Sequence, residues 1–91
     1  MSMDVAARFG DNLKRQRKLA DLSQDELAYK ASLHRTEISQ IERGLRQPRA
    51  DTIIKLAGSL EVDPSVLFEG IAWEPGAVRC GQFKPDQDAT L

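Results

Sequence analysis

Apolar residues recur every three or four positions through most of this chain, which is the spacing of helices that bury one face. Four segments show the pattern clearly: residues 4–20, 24–31, 35–43 and 52–60. A shorter fifth helix is indicated after Asp63, because Pro64 suits a first helical position and Gly70 suits the position after a helix ends. The pattern therefore predicts an all-α domain of five helices. Its buried stripes are formed by Val5, Phe9, Leu13, Ala20, Leu27, Ala28, Ala31, Ile38, Ile41, Ile53, Leu56, Ala57 and Leu60.

The second and third predicted helices are short and are joined by a tight turn. Ser23 and Glu26 form a capping-box signature, so we expect the second helix to begin at Gln24. Ser32 stands where a helix usually ends in a left-handed residue, most easily Gly, and Ser there costs about 1 kcal/mol relative to Gly. The arrangement is similar to a helix-turn-helix, which holds its second helix ready for the DNA major groove.

The third predicted helix has one apolar face, formed by Ile38 and Ile41, and one polar face. The outward positions are Arg35, Thr36, Ser39, Gln40 and Arg43. An ordinary solvated face is expected to carry Glu and Lys, whereas Arg, Gln, Ser and Thr are residues that reach base edges and phosphates. The following loop, residues 44–50, adds Arg46 and Arg49. We therefore predict that this face contacts DNA and that the loop holds the DNA backbone.

The positive charge lies in the same half of the chain as this face. The 91 residues carry 13 Lys and Arg against 14 Asp and Glu, a net charge of -1. Residues 1–50 contain ten basic and seven acidic residues, a balance of +3, whereas residues 51–91 contain three and seven, a balance of -4. The net charge argues against nucleic-acid binding through overall charge, whereas the basic half of the chain coincides with the face predicted to contact DNA.

Length and composition indicate one domain, residues 1–70, followed by a short extension, residues 71–91. The chain is 41% hydrophobic and 30% charged, which fits a soluble globular protein, and no apolar run approaches the length of a membrane span. The first twenty residues lack the apolar run of a signal peptide. We therefore expect a cytoplasmic protein.

Residues with catalytic or metal-binding chemistry are sparse. Cys80 is the only Cys and His34 the only His, so neither an intrachain disulfide nor a Cys/His metal cluster can form. The sequence contains no Gly-rich phosphate loop and no obvious combination of nucleophile, base and orienting group. We expect no enzymatic activity, no metal and no cofactor.

Helical periodicity stops at the extension, where Pro and Gly punctuate short apolar pieces. A short hairpin turning at Pro75 and Gly76 is one arrangement that these pieces allow, and residues 84–91 are predicted to form a disordered polar tail. The aromatic residues Trp73 and Phe83 leave three roles open. They can extend a dimer interface, bind a protein partner, or cover the domain's own surface.

Three segments taken together, LSQDELA, ISQIERG and PRADTIIKLA, resemble the phage repressor and Cro-like helix-turn-helix family, the Xre-type regulators. The resemblance covers roughly residues 8–70 and implies a lambda-repressor-like domain of five helices. Members of this family bind operator DNA, usually as a two-fold dimer. This chain departs from the family pattern at Ser32, which replaces the usual turn Gly, and at Arg49, which stands at a helix start where Ser or Thr is more favourable.

The resemblance bears on Arg17, which lies on the core-facing stripe of the first helix. An Arg is almost never fully buried without a partner, so the residues alone allow either a carboxylate partner or a side chain whose head reaches water. Arg17 and Glu42 match the Arg and Glu that pair between the first helix and the recognition helix in the family. The resemblance therefore implies an ion pair that sets the angle of the third helix.

The resemblance also implies roles at the DNA surface. The positions that face bases correspond to Arg35, Thr36 and Gln40, with Ser39 and Glu37 at the edge of that surface. The positions that hold phosphates correspond to Gln24, Arg43 and Arg46, and Arg49 in the same basic loop is predicted to join them. Because Arg can make a bidentate contact to guanine and Gln to adenine, we predict half-sites whose G and A are read by Arg35 and Gln40.

The leading functional prediction is a small transcriptional regulator, a repressor, that binds a near-palindromic operator as a homodimer with half-sites about one helical turn apart. Two alternatives stay open. The segment LHRTEISQIERGLR also resembles the controller proteins of restriction-modification systems. An antitoxin-like or immunity-like protein, whose extension binds a partner through Trp73 and Phe83, would use DNA binding for autoregulation.

Overall fold

A computed structural model of the protein describes residues 3–86. Four α-helices are followed by a 3-10 helix and a two-stranded antiparallel sheet. Their bounds are α1 Val5–Leu19, α2 Gln24–Ala31, α3 Arg35–Glu42, α4 Ala50–Leu60, the 3-10 helix Pro64–Phe68, β1 Ala72–Glu74 and β2 Gln82–Lys84. The four predicted long helices are thus present, each within about two residues of its predicted bounds.

The prediction of five α-helices is wrong at the fifth, which is a 3-10 helix of five residues. It begins as expected, because Asp63 accepts a hydrogen bond from the Ser65 amide at 2.9 Å and Pro64 occupies the first turn. It ends after one turn because Glu69 already has extended ψ and Gly70 has a positive φ of 80°. A segment this short gains little from α-type hydrogen bonds, and 3-10 geometry is common in such pieces.

Asn12 of α1 ties the end of the 3-10 helix to the domain. Its side-chain nitrogen donates to the carbonyls of Leu67 at 3.0 Å and Glu69 at 2.9 Å, and its own carbonyl oxygen accepts from Arg15 at 3.3 Å. The side chain is fully buried, so each of these bonds replaces water that burial removes. Sequence reasoning missed this residue, because Asn inside a helical pattern gives no sign of a partner 55 residues away.

The core lies where α1, α2, α3, α4 and the 3-10 helix meet. α1 packs against α3 and the 3-10 helix, while α2 packs against α3 and α4. The predicted stripes supply the core, except that Val5 and Ile53 are half-buried and Ala20, which caps the end of α1, is exposed. The fully buried apolar side chains are Leu13, Leu27, Ile38, Ile41, Leu56 and Leu67.

The extension forms a hairpin whose turn differs from the predicted one. Trp73 pairs with Phe83 across the strands, and the connection runs from residue 75 to residue 81 instead of turning tightly at Pro75 and Gly76. A Pro-Gly pair does not favour the primed turns of two-residue hairpins, which explains the longer connection. The two aromatic rings meet edge to face with centroids 5.0 Å apart.

The predicted tail begins later than residue 84. Lys84 belongs to β2, and its ammonium lies 3.1 Å from a carboxylate oxygen of Glu74 on β1. The remainder of that prediction, residues 87–91, falls outside the described residues. No helix in the described part of the chain has both the length and the apolar character to cross a membrane.

Candidate nucleic-acid interface

The start of α2 is held by the capping box that the sequence indicates. The Ser23 hydroxyl accepts from the Glu26 amide at 3.0 Å, and the Glu26 carboxylate accepts from the Ser23 amide at 2.9 Å. The hydrogen bond from the Ser23 backbone, followed by that from its side chain, holds the pKa of Glu26 below its usual value. The helix α2 therefore begins at Gln24, as predicted.

The turn between α2 and α3 passes through Ser32 in the left-handed conformation, with φ 54° and ψ 45°. The Leu33 amide donates to the Ala28 carbonyl at 2.9 Å, which closes the end of α2. α3 then begins with an unpredicted cap, since the Nδ1 atom of His34 accepts a hydrogen bond from the Thr36 amide at 3.1 Å. His34 therefore has a local structural role at the first turn of α3.

Arg17 of α1 and Glu42, the last residue of α3, form a bidentate ion pair. The Nε and Nη2 atoms of Arg17 donate to the two carboxylate oxygens of Glu42 at 2.6 and 3.0 Å, and Nη1 donates to the Leu22 carbonyl at 2.8 Å. The two side chains are only 11% and 3% exposed. The hydrogen bond with Glu42 raises the pKa of Arg17, while burial acts in the opposite direction. The pair anchors the carboxyl end of α3 to α1.

The same carboxylate also holds the beginning of α2. The side-chain amide nitrogen of Gln24 donates to Glu42 Oε1 at 3.1 Å. Because an amide NH₂ carries two hydrogens, Gln24 keeps a second one that this bond does not use. Glu42 thus joins α1, α2 and α3 through one side chain.

Gly10 allows α1 to approach the last turn of α3 at van der Waals distance. A Cβ atom at residue 10 would lie 2.3 Å from the Ile41 carbonyl oxygen and 2.7 Å from that of Glu42. Both obstacles are backbone atoms, so any side chain there would push the two helices apart. The sequence offers one signal that could have revealed this contact: a Gly inside a helix, where it is unfavourable unless packing requires it.

The predicted base-facing residues lie on successive turns of α3. Arg35 and Thr36 are exposed in its first turn, whereas Ser39 and Gln40 are half-buried one turn later. Arg35 in this helix and Arg46 in the following loop have acidic neighbours. The distance is 3.5 Å from Arg35 Nε to Asp25 Oδ1 and 3.6 Å from Arg46 Nη1 to Glu37 Oε2.

The other residues predicted to hold phosphates lie at the ends of helices. Arg43 is the exposed C-cap residue of α3. Arg49 is the N-cap residue of α4, makes no side-chain cap, and is 86% exposed with its Nε atom 3.7 Å from Asp51. An Arg side chain offers no acceptor to the helix amides, so this residue leaves the start of α4 without the usual cap.

Two short helices at a tight turn, the second carrying exposed Arg and Thr with its carboxyl end anchored in the core, define the class of helix-turn-helix modules. The chain belongs to the Helix-turn-helix family, whose sequence profile matches residues 13–67. The capping box of α2 and the buried Arg17–Glu42 pair both lie within that span.

Two relatives show what kinds of protein share this sequence. The chain is 37% identical over 70 residues to the control protein C.BamHI of Bacillus amyloliquefaciens, covering 76% of this chain and 86% of that protein. It is 34% identical over 82 residues to an uncharacterized HTH-type transcriptional regulator of Mycobacterium tuberculosis. That match covers 90% of this chain and 52% of the regulator, so the chain spans about half the length of the mycobacterial protein.

Solved structures agree with these relatives. The restriction-modification controller protein C.AhdI of Aeromonas hydrophila superposes with a TM-score of 0.68 at 36% identity, over 69% of this chain and 96% of that one. SinR, described as the master regulator for biofilm formation and solved in complex with DNA, superposes with a TM-score of 0.63 at 33% identity. That superposition covers 65% of this chain and 95% of the SinR chain.

Proposed function

We propose that this protein is a sequence-specific transcriptional regulator, a repressor, that binds a near-palindromic operator as a homodimer. The observation that carries the proposal is the combination of an exposed Arg and Thr face on α3 with the buried Arg17–Glu42 pair at its end. A helix fixed at its carboxyl end presents its other side chains to a groove at a defined angle. The related SinR structure, solved with DNA, supports the same reading.

Within the proposed complex α3 lies in the major groove. Arg35 donates to O6 and N7 of a guanine, and Gln40 makes a bidentate contact to an adenine. Thr36 faces a base or a thymine methyl group, and Ser39 lies at the edge of the contact. These roles make Arg35 and Gln40 the residues that determine most of the operator sequence.

The DNA backbone is held at both ends of this surface. Gln24 donates its second amide hydrogen to a phosphate at the first turn of α2, where the helix dipole also favours an anion. The remaining phosphate contacts come from Arg43, Arg46 and Arg49. Such contacts position the protein on any sequence, and base contacts then select the operator.

The proposal is tested by titrating the protein against two labelled duplexes, one from the region upstream of its own gene and one with the same bases scrambled. Fluorescence anisotropy at several salt concentrations measures both affinities. We expect a preference of about 10³ or more for the native duplex and a steep loss of affinity with salt. Equal and weak binding to both duplexes would contradict operator binding at that region.

A narrower form of the same function is that of a restriction-modification controller protein. The observation that favours it is the similarity to C.BamHI and C.AhdI, which this chain covers over 86% and 96% of their lengths. A selection of bound fragments from the source genome tests it. Enrichment of a promoter beside a restriction endonuclease gene is expected, and enrichment of unrelated promoters only would contradict the narrower function.

A further inference from the structure

Arg35 and Asp25 form an ion pair in which Nε is the guanidinium nitrogen nearest to the carboxylate. Asp25 Oδ1, in the first turn of α2, lies 3.5 Å from Nε of Arg35, in the first turn of α3. Within residues 3–86, the Arg35 side chain donates no hydrogen bond. The Arg35 and Asp25 side chains are 63% and 76% exposed, so both are accessible to DNA.

The atom that is engaged matters because an Arg reads guanine with its terminal nitrogens. A guanidinium group has five N–H donors in a fixed plane, and its outer fork matches the O6 and N7 acceptors of guanine. A carboxylate beside Nε lies along an edge of the planar guanidinium group that the guanine contact leaves free. The ion pair can therefore persist while Arg35 contacts guanine, whereas a reach toward a neighbouring phosphate would turn the group away from Asp25.

The Arg46–Glu37 pair shows the opposite arrangement. There the carboxylate lies 3.6 Å from Nη1, a terminal nitrogen, so it competes with any bidentate contact by Arg46. This difference fits a base-reading role for Arg35 and a phosphate-holding role for Arg46, since a phosphate contact does not depend on one fixed orientation of the group.

We propose that Asp25 is a positioning residue that determines operator specificity through Arg35. The inference rests on the proposed function. Asp25 holds Nε, orients the guanidinium plane toward the groove, and disfavours non-cognate complexes in which Arg35 would bind a phosphate instead. Its charge also repels phosphates near the start of α2, and that repulsion acts on every sequence alike. Only the orientation of Arg35 acts on a single base pair.

The experiment uses the operator identified by the titration described above. Each base pair of one half-site is changed in turn, and affinities are compared for the wild type, Arg35→Ala, Asp25→Asn and the double variant. Arg35→Ala identifies the base pair that Arg35 reads, as the position where discrimination is lost. At that base pair alone, we expect Asp25→Asn to reduce the ratio of affinities for the operator and the substituted duplex from about tenfold to about threefold or less. In the Arg35→Ala background, we expect Asp25→Asn to cause no further loss of this ratio.

Glu69→Gln is the matched control. It removes the same charge from an exposed pair, Arg15–Glu69 at 3.0 Å, which belongs to neither α2 nor α3. We expect it to leave discrimination unchanged at every base pair. Asp25→Glu keeps the carboxylate and is expected to restore part of the discrimination that Asp25→Asn loses.

Several outcomes would overturn the inference. They are an Asp25→Asn variant with unchanged guanine discrimination, an equal weakening at all base pairs, and an Arg35→Ala variant that alters no base pair. Asp25→Asn also removes a negative charge that the helix dipole favours at the start of α2. That loss lowers the stability of the fold without changing base discrimination, and thermal melts of each variant measure it separately. A wild type that failed to prefer its operator would contradict the proposed function itself, so the two failures are distinguishable.

Discussion

The carboxylate of Glu42 accepts three hydrogen bonds, two from Arg17 on α1 and one from Gln24 on α2. Removing one member of such a buried pair leaves the other charge without its partner, which is strongly unfavourable. Glu42 therefore stabilises the fold at the edge of the proposed DNA-binding surface.

We expect Glu42→Ala to lower the free energy of unfolding by about 3–5 kcal/mol, because the charge of Arg17 stays buried at this site. Urea unfolding followed by circular dichroism measures the change. The control is Glu69→Ala, whose partner Arg15 is half exposed, and there a loss of at most about 1 kcal/mol is expected. A Glu42→Ala melt that matched the wild type would contradict the structural role of the pair.

The left-handed conformation of Ser32 predicts a substitution that raises the free energy of unfolding. With φ at 54°, Gly tolerates this position better than any residue that carries a Cβ atom. Ser32→Gly should therefore stabilise the protein by about 1 kcal/mol, and Ser32→Ala should give no such gain. The midpoint of urea unfolding checks both, and a destabilised Gly variant would mean that the Ser32 side chain contributes something besides strain.

The capping box makes stability depend on pH. The pKa of Glu26 is lower in the folded chain than in the unfolded chain, because the ionised carboxylate accepts from the Ser23 backbone. This contribution is complete above the unfolded pKa and disappears as the pH falls through the folded pKa. We expect Glu26→Gln, which keeps a capping side chain, to lose less stability than the wild type between about pH 5 and about pH 3. Identical pH profiles for the two proteins would contradict this contribution.

At the scale of elements, the crossing of α1 and α3 sets how far the recognition helix stands from the body of the domain. Gly10 lies at the crossing, and the atoms it faces are main-chain carbonyls that cannot rotate away. A Gly in α4 provides the contrast, because a Cβ atom at Gly58 would meet nothing within 4 Å. The two positions allow the same substitution to be compared in two surroundings.

We expect Gly10→Ala to destabilise the protein by about 1–3 kcal/mol through overpacking and to weaken operator binding as α3 moves. Gly58→Ala should stabilise it by about 1 kcal/mol, because Ala is the better helix former and has room there. Thermal melts and operator titrations of both variants measure these effects. Equal effects of the two substitutions on stability would show that the close approach does not constrain the fold.

The elements also show which parts of the fold a sequence can reveal. Helical spacing and caps located α1 to α4, since these signals are local. The 3-10 geometry of the fifth helix and the His34 cap were not foreseen, and neither were the roles of Asn12 and Gly10, because each depends on a partner distant in sequence or on exact turn geometry. The Arg17–Glu42 contact came from family resemblance, since periodicity alone left the partner of Arg17 open. The DNA roles of the α3 residues stay predictions.

At the scale of the whole molecule, the hairpin is attached to the helical domain by few contacts. Ile71 packs against the core, the Met3 amide donates to the Phe83 carbonyl at 3.3 Å, and the Asp86 amide donates to the Gly70 carbonyl at 3.1 Å. Trp73 and Phe83 pack on each other and remain 53% and 38% exposed. No fully buried core residue comes from the hairpin.

A chain that ends after Ile71 should therefore keep the helical fold, because it keeps the complete core. We expect its circular dichroism spectrum to remain helical and its melting temperature to stay within a few degrees of that of the full chain. Gel filtration of the same protein tests the interface role of the extension. An unchanged elution state would exclude that role, and a cooperative loss of helix would contradict the independence of the domain.

The joining of α1, α2 and α3 by the Glu42 side chain has a genetic consequence. Substitutions at Arg17 or Glu42 would leave in place the side chains that we propose to contact DNA, yet they would weaken the contact that holds α3 as the temperature rises. A selection for strains that repress at low temperature and fail at high temperature should return alleles at these two positions. Alleles at Arg35 or Gln40 would instead fail at every temperature.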